Sequence, residues 1–163
     1  MKKKMNIIVI SVGKIKESFY RDAIKEYEKR LSRYCTFEII EVADEKTPDQ
    51  ISDLQMEQIK EKEGKRILGK VKEQSYVIAL SILGQKRTSI QLAKHLETLA
   101  IQGQSHITFI IGGSLGLCDE VLLRANEELS FSDMTFPHQL MRVILVEQIY
   151  RSFRIQKNEP YHK

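Results

Sequence analysis

Alternating apolar and polar positions divide the chain into five short apolar runs joined by segments with helical spacing. The runs that we predict to be β-strands span residues 5–12, 36–42, 76–82, 106–111 and 129–131. The first run is rich in β-branched residues and has little polar alternation, which is typical of a strand buried on both faces. The segments between the runs carry apolar residues three or four positions apart and therefore predict amphipathic helices.

Capping residues indicate where the helices begin and end. The predicted helices span about 19–32, 52–70, 89–102 and 119–125, followed by a long helix that begins at Pro137. Ser52 and Gln55 have the spacing of a capping box, and either Thr88 or Ser89 caps the third helix. Gly103 lies just beyond the end of that helix, where glycine often terminates one. The second helix is densely charged, so we expect it to lie exposed.

Strands that alternate with helices predict an α/β fold with a parallel sheet covered by helices on both faces, because parallel neighbours need crossover connections. With no linker, repeat or low-complexity tract, residues 1–163 are expected to form a single domain. Ligands of such sheets bind beyond the carboxyl ends of the strands. The promising carboxyl ends are Leu80 with Ser81, the glycines after the fourth strand, and residues 131–136 after the fifth. Residues 83–86 are predicted to form a turn, and the site is expected in the C-terminal half.

The last helix has almost no polar face in its first half. Its apolar residues are Leu140, Met141, Val143, Ile144, Leu145, Val146, Ile149, Tyr150 and Phe153. Pro137 suits the first helical position, where its missing N–H costs nothing. Such a helix must pack inside the domain or against a second copy of the chain. Among its polar residues, Glu147 and Arg151 have the spacing of an intrahelical ion pair.

Two further polar residues, His138 and Arg142, lie one turn apart on one face of this helix. His138 fits either a helix-terminal residue bonded to a nearby carbonyl or a proton acceptor beside the ligand loop. Arg142 lies in an apolar segment, where a guanidinium is costly unless it is paired or bound to an anion. Both residues are therefore candidates for the site.

Three glycines follow the fourth strand, at Gly112, Gly113 and Gly116. The segment lacks the Lys-Ser/Thr of a P-loop and the position of a dinucleotide fingerprint. It fits either a tight turn or a close approach of the backbone to a flat ligand such as adenosine, where a Cβ would collide. The loop after the first strand, 13–16, has no phosphate fingerprint, which disfavours an ordinary nucleotide- or flavin-binding enzyme.

Composition and charge narrow the function only slightly. The net charge of +4 suits a polyanionic partner. The absence of tryptophan argues against a specialised single-strand stacking sheet. Cys35 and Cys118 match no metal spacing, so we expect a reduced cytoplasmic protein without a metal. No apolar run approaches the roughly 18 residues of a membrane span, and no membrane association is expected.

The lysines at residues 2–4 and the apolar run that follows resemble the start of a secretory signal. The run is short, however, and residues 13–16 contain no small-residue cleavage site. We therefore interpret the run as the first strand, with either Met1 or Met5 as the natural start.

Three motifs in the C-terminal third resemble those of one family. They are Ile-Gly-Gly-x-x-Gly-Leu at 111–117, Leu-Ser-Phe-Ser-x-Met-Thr-Phe-Pro-His-Gln-Leu-Met-Arg-Val at 129–143, and Pro-Tyr-His at 160–162. With Val-Gly-Lys at 12–14 and Lys-Glu-Gly at 62–64, they make the chain similar from end to end to bacterial methyltransferases of the SPOUT class. These relatives modify N3 of a pseudouridine in the 23S rRNA of the large ribosomal subunit.

The resemblance implies a C-terminal trefoil knot, one of the rare exceptions to the rule against knotted chains. It also implies a homodimer and S-adenosyl-L-methionine as the methyl donor. The implied donor-binding positions are Leu80, Gly112, Phe131, Ser132, Asp133, Met134, Thr135 and Phe136. The implied substrate is 23S rRNA in the large subunit or the assembled ribosome.

For the reaction, His138 is the first candidate for the proton acceptor near N3, and Arg142 is the candidate for balancing negative charge. Tyr161, His162 and Lys163 are the expected RNA contacts if the tail is ordered over the site, although most such tails are frayed ends. The alternative function is a non-catalytic ribosome- or RNA-binding module of the same fold, which would not bind the donor.

Cations of the first helix offer a second expected RNA surface. They are Arg21, Lys25, Lys29 and Arg30. These side chains fit contacts with backbone phosphates and a solvated helix face equally well.

Overall fold

The computed structural model describes residues 4–163. Its strands are β1 (Met5–Val12), β2 (Cys35–Val42), β3 (Tyr76–Lys86), β4 (His106–Ile111) and β5 (Glu127–Ser130). Its helices are α1 (Ser18–Leu31), α2 (Asp53–Leu68), α3 (Ser89–Ile101), α4 (Asp119–Arg124) and α5 (His138–Gln156). Met1 and the lysines at positions 2 and 3, which bear on the natural start, lie outside the described residues.

The five strands form one sheet in the order β2-β1-β4-β3-β5, and all neighbouring pairs are parallel. Strands β1 and β4 have the predicted bounds. The predicted parallel α/β architecture is therefore confirmed, while the trefoil knot stays a prediction from the resemblance.

Side chains on the two faces of the sheet enter two separate apolar cores. Ile7 and Val9 of β1 join the core that includes Leu31 of α1, together with residues of α3 and α5. Ile8 and Ile10 join the other core, which contains apolar residues of α2 and α4. This alternation is the period-two geometry of a strand, and it confirms that helices cover both faces.

Helix α5 packs against both α1 and α3. Its buried residues are Arg142, Leu145, Val146, Ile149, Tyr150, Ser152 and Phe153. The helix begins at His138, whereas the sequence predicted Pro137 as the first helical residue. Pro137 is the N-cap, with ψ of 134°, and its carbonyl accepts the first helical bond from Met141 N at 2.9 Å. Its missing N–H is harmless there, because no N–H of an N-cap enters the helical ladder.

Strand β3 corrects the predicted turn at 83–86. The chain pairs with β5 up to Leu80, leaves the ladder, and pairs again at Gln85 and Lys86. A Cβ on Gly84 would lie 2.6 Å from the backbone carbon of Glu128, so glycine allows the chain to return close to β5. The segment is thus an irregular continuation of the strand, since glycine here serves close backbone approach rather than a reversal.

Strand β5 also differs from the prediction of 129–131. It starts at Glu127, because the ladder to β3 begins where Ile78 faces Glu127, and it ends before Phe131. Glu127 is held by His95 and Tyr76, whose side-chain atoms lie 2.8 to 3.0 Å from its carboxylate. The start of β5 is polar, so a prediction based on apolar runs does not detect it.

The capping boxes at Ser52 and Thr88 are both present, and Thr88 rather than Ser89 is the N-cap of α3. Helix α2 ends at Leu68, two residues before the predicted end. Its inner face is not exposed as expected: Glu63, Gly64 and Ile67 are buried. Between residues 4 and 163, no helix combines the length and apolar character needed to cross a membrane.

Candidate functional site

A cavity of about 340 Å³ lies at the carboxyl ends of the adjacent strands β4, β3 and β5. Among the residues that line it are Leu80, Gly112, Phe131, Ser132, Met134, Thr135 and Phe136. These are seven of the eight positions that the sequence implies for donor binding. His138 also lines this cavity, which we call the donor cavity.

Asp133 is the one implied donor position that does not line the donor cavity. Its carboxylate is 83% exposed and lies 2.5 Å from the Nζ atom of Lys86. Because Lys86 is the last residue of β3, this ion pair links the loop after β5 to the neighbouring strand. The pair is exposed, so its contribution to stability is small.

The loop after β5 is bent by its own serines. The Ser130 hydroxyl donates to Ser132 O at 3.1 Å, and Ser132 Oγ accepts from Met134 N at 3.0 Å. Short polar side chains that bond nearby backbone groups fix such bends without secondary structure. The loop therefore shapes one wall of the donor cavity.

The three glycines form a tight turn, as one of the two sequence interpretations predicted. Gly116 N donates to Gly113 O at 3.1 Å, and Gly116 has a φ of +87°. A Cβ on Gly112 would lie 3.0 Å from the Gly116 carbonyl carbon and from the Leu117 side chain. All three glycines also line the donor cavity, so the turn places bare backbone against its space.

His138 is half-buried at the start of α5. Burial and, to a smaller extent, the positive charge of Arg142 lower the pKa of its imidazole, while Asp44 acts in the opposite direction. A lowered pKa leaves the ring neutral near pH 7, with a nitrogen lone pair free to accept a proton.

Arg142 is buried, with only 1% of its side chain exposed. It donates to Glu41 Oε2 at 2.6 Å and to Gly13 O at 3.2 Å. The sequence expectation that this guanidinium must be paired is confirmed. Arg142 borders a second cavity and does not line the donor cavity. It lies one helical turn after His138, which does line the donor cavity. The partner Glu41 lies within an apolar run and gave no distinctive sequence signal.

The second cavity, of about 320 Å³, is largely basic. Lys14, Arg21 and Lys25 line it together with Arg142, against the carboxylates of Glu28 and Glu41. Two of the four expected phosphate contacts on α1, Arg21 and Lys25, are thus brought to one concave surface.

The other two expected phosphate contacts lie apart from this cavity. Arg30 is engaged by Glu26 at 3.1 Å and stacks over the Tyr27 ring. Lys29 is exposed and lines none of these cavities.

The C-terminal tail folds back onto α5. Tyr161 donates to Glu147 Oε1 at 3.0 Å, packs edge-on against Tyr150, and lies under the Arg151 guanidinium. His162 Nδ1 lies 3.0 Å from Arg151 Nη1. The predicted Glu147–Arg151 pair is confirmed at 2.5 Å. The tail is therefore anchored through His162, with Lys163 exposed, and it does not line the donor cavity of its own protomer.

A third cavity, of about 270 Å³, adjoins the donor cavity. Gly113, Ser114 and His138 line both cavities. Its other walls are Val12, residues 44–47 and Glu63 of α2. The sequence analysis included Glu63 in the Lys-Glu-Gly motif at 62–64 but gave it no role, because a dense run of charges indicates a solvated helix face.

No group of three or more His, Cys, Asp or Glu side chains in residues 4–163 is arranged to hold a metal ion. Both cysteines are buried and unpaired.

Comparison with known proteins identifies the family. The family model described as predicted SPOUT methyltransferase matches residues 5–162, and the chain therefore belongs to the SPOUT methyltransferase family. This confirms the class to which the sequence motifs pointed.

Several curated relatives share one name. Ribosomal RNA large subunit methyltransferase H 1 of Clostridium perfringens (strain SM101 / Type A) is 60% identical over 159 residues, covering 98% of this chain and 100% of the relative. Ribosomal RNA large subunit methyltransferase H of Clostridioides difficile (strain 630) is also 60% identical with the same coverage. The protein of that name from Lysinibacillus sphaericus (strain C3-41) is 58% identical, again with the same coverage.

Replacing Arg142 by Gln is expected to lower the free energy of unfolding by about 2 kcal/mol, because it removes the charge-assisted hydrogen bonds from a buried guanidinium to the partly exposed Glu41 and to Gly13 O. Chemical denaturation measures the change. The control is Arg30→Gln, which breaks the exposed pair with Glu26 and should cost at most about 1 kcal/mol. Equal effects of the two substitutions would contradict a structural role for the Arg142 pair.

Proposed function

We propose that this protein is an S-adenosyl-L-methionine-dependent methyltransferase that modifies N3 of a pseudouridine in 23S rRNA, within the large subunit or the assembled ribosome. Membership of the SPOUT methyltransferase family supports methyl transfer, and the names of the relatives support ribosomal RNA as the substrate. The observation that carries the proposal is the donor cavity, where three adjacent strand ends bring together seven of the eight implied donor positions.

The donor cavity suits the proposed donor in size and chemistry. Its volume of about 340 Å³ lies within the usual range of small-molecule sites. Leu80 and Phe131 offer apolar surface to an adenine ring, and the bent loop after β5 offers backbone polar groups. A side chain on Gly112 would enter the tight turn. When bound, S-adenosyl-L-methionine supplies a methyl group on a positively charged sulfur.

We assign the proton-accepting role to His138. The N3 imide must lose its proton as the new carbon–nitrogen bond forms, so an acceptor is needed at the mouth of the donor cavity. A neutral imidazole has the free lone pair that this role requires. In this proposal Arg142 balances negative charge. Separately, its positive charge favours the neutral form of the His138 ring by lowering its pKa.

For the RNA, we assign contacts to the basic cavity of Lys14, Arg21 and Lys25, whose ammonium and guanidinium groups match backbone phosphates. His162 and Lys163 are exposed on the tail and serve as contacts with the target region, together with Tyr161. Acting on ribosomes places the protein in the cytoplasm.

A homodimer completes the proposal. Leu140, Val143 and Ile144 of α5 are only partly buried within the protomer, which leaves an apolar strip along the helix. Ile82, Met134 and Phe136 expose further apolar surface at the mouth of the donor cavity. In this proposal a second copy covers these surfaces, and its tail reaches the donor cavity of the first copy.

The proposal predicts that purified protein transfers a labelled methyl group from S-adenosyl-L-methionine to ribosomes from a strain that lacks its gene. Mass spectrometry of the 23S rRNA should then show one N3-methylated pseudouridine. Calorimetry should detect donor binding without RNA. Ribosome binding without donor uptake would instead support the non-catalytic RNA-binding module.

Replacing His138 by Ala is expected to slow methyl transfer at saturating substrates by roughly 10²- to 10⁴-fold, the usual contribution of a positioned proton acceptor. Donor affinity should change little. In the wild type, the single-turnover rate should fall with acid only below pH of about 6.5, because the pKa of His138 is lowered from that ordinary value.

The control for His138 is His95→Gln, which alters a partly buried histidine bonded to Glu127, outside the donor cavity. Its turnover and acid profile should match the wild type. An unchanged acid profile in His138→Ala would remove His138 from the proton-transfer step.

Deleting residues 161–163 is expected to lower kcat/KM for ribosomes by at least about tenfold while sparing donor affinity, because the deletion removes an aromatic ring and a cation proposed to contact RNA. Lys163→Ala alone should give a smaller loss. Lys157→Ala removes an exposed cation near the same end of the chain and should have little effect. Full activity of the truncated protein would contradict the role of the tail.

A further inference from the structure

The third cavity adjoins the donor cavity. Gly113, Ser114 and His138 line both spaces. A group bound in the third cavity therefore lies next to a ligand bound in the donor cavity. Its volume of about 270 Å³ leaves ample space for a single pyrimidine ring.

Glu63 provides this cavity with a buried hydrogen-bond acceptor. The residue is only 4% exposed, and its Oε2 accepts from Glu45 N at 3.0 Å. Its Oε1 lies 3.1 Å from the point that a Cβ on Gly113 would occupy, so it stands at the shared wall. No donor in residues 4–163 bonds this second oxygen. This oxygen is open to the cavity rather than sealed from solvent, so a ligand that supplies a donor can replace water there.

The charges around Glu63 indicate what kind of donor fits. Burial raises the pKa of Glu63; the Glu45 backbone bond and Arg66 oppose this, while Asp44 and the Glu45 carboxylate reinforce it. Asp44 and Glu45 line the cavity with Glu63, against a single cation, Lys46. Such a surface repels phosphate. It suits an uncharged ring that carries N–H groups.

We propose that the third cavity holds the target base and that Glu63 accepts a hydrogen bond from its N1–H, which makes Glu63 a specificity-determining residue for pseudouridine. This inference rests on the proposed function. The N3 edge of the ring faces the donor cavity, and N1 lies next to it across the C2 carbonyl, on the side of Glu63.

The chemistry of the two nucleosides makes this contact selective. In pseudouridine the sugar is attached at C5, so N1 carries a hydrogen. In uridine N1 is bonded to the sugar and has no hydrogen to donate. A buried acceptor that meets no donor loses its hydrogen bond without compensation, which is a strong basis for rejecting the wrong substrate.

The test uses Glu63→Gln in the full chain. Because Glu45 N still requires an acceptor, the Gln oxygen takes the place of Oε2 and its NH₂ group turns toward the cavity. The side-chain NH₂ group and the N1–H of pseudouridine, both hydrogen-bond donors, then face each other. Binding is measured with ribosomes that carry pseudouridine at the target position and with ribosomes that carry uridine there, both in the presence of the donor product, S-adenosyl-L-homocysteine.

The wild type is expected to bind the pseudouridine ribosomes at least about tenfold more tightly than the uridine ribosomes, and Glu63→Gln is expected to abolish this ratio. Its kcat/KM on pseudouridine ribosomes should fall by a similar factor. Glu61→Gln makes the same chemical change on the exposed face of α2 and should preserve the ratio. Thermal unfolding and donor binding of both variants should match the wild type.

A wild type that binds the two ribosomes equally, or a Glu63→Gln variant that keeps the ratio, would overturn the assignment while leaving the proposed function intact. A variant that loses donor binding or unfolds would assign Glu63 a structural role and overturn it too. Failure of the wild type to methylate pseudouridine ribosomes at all would instead refute the proposed function.

Discussion

The ion pair between Arg142 and Glu41 is the interaction on which the arrangement of the site depends. It joins the last helix to β2, and the same guanidinium donates to Gly13 O just after β1. These bonds use the Nη1 and Nη2 atoms of a buried guanidinium, whose Nε atom has no partner among the described residues, and they tie α5 to β2 and to the loop after β1. His138 lies one turn earlier on that helix. Its position between the donor cavity and the third cavity therefore follows from a contact made outside both.

The architecture of the sheet could be predicted largely from the sequence. Apolar runs gave the number of strands and their parallel arrangement, and the capping boxes at Ser52 and Thr88 gave two helix starts, because these signals depend on neighbouring residues. The predictions are wrong where a contact between residues far apart in the sequence determines the structure. Nothing local indicates that β3 resumes its pairing after Gly84, since the reason is the approach of the Glu128 backbone.

The site residues likewise divide into those that the sequence indicated and those that it did not. The residues that line the donor cavity were implied by motifs, and the loop after β5 bends as its serines dictate. Glu41 gave no sequence signal, and Glu63 was part of the Lys-Glu-Gly motif but was given no role. The role of a carboxylate in an apolar strand or a charged helix depends on what folding places beside it. The order of the C-terminal tail also could not be judged from the sequence. It resembles a frayed end, but Tyr150, Glu147 and Arg151 hold it in place.

The large sequence separation of Arg142 and Glu41 affects how the protein folds into its functional form. The two partners are 101 residues apart, and closing so long a loop costs entropy that local contacts cannot return early in folding. The donor cavity and the third cavity both need residues from α5 or the loop before it. A nascent chain can thus build much of its sheet while remaining inert, and it becomes competent only after α5 has left the ribosome.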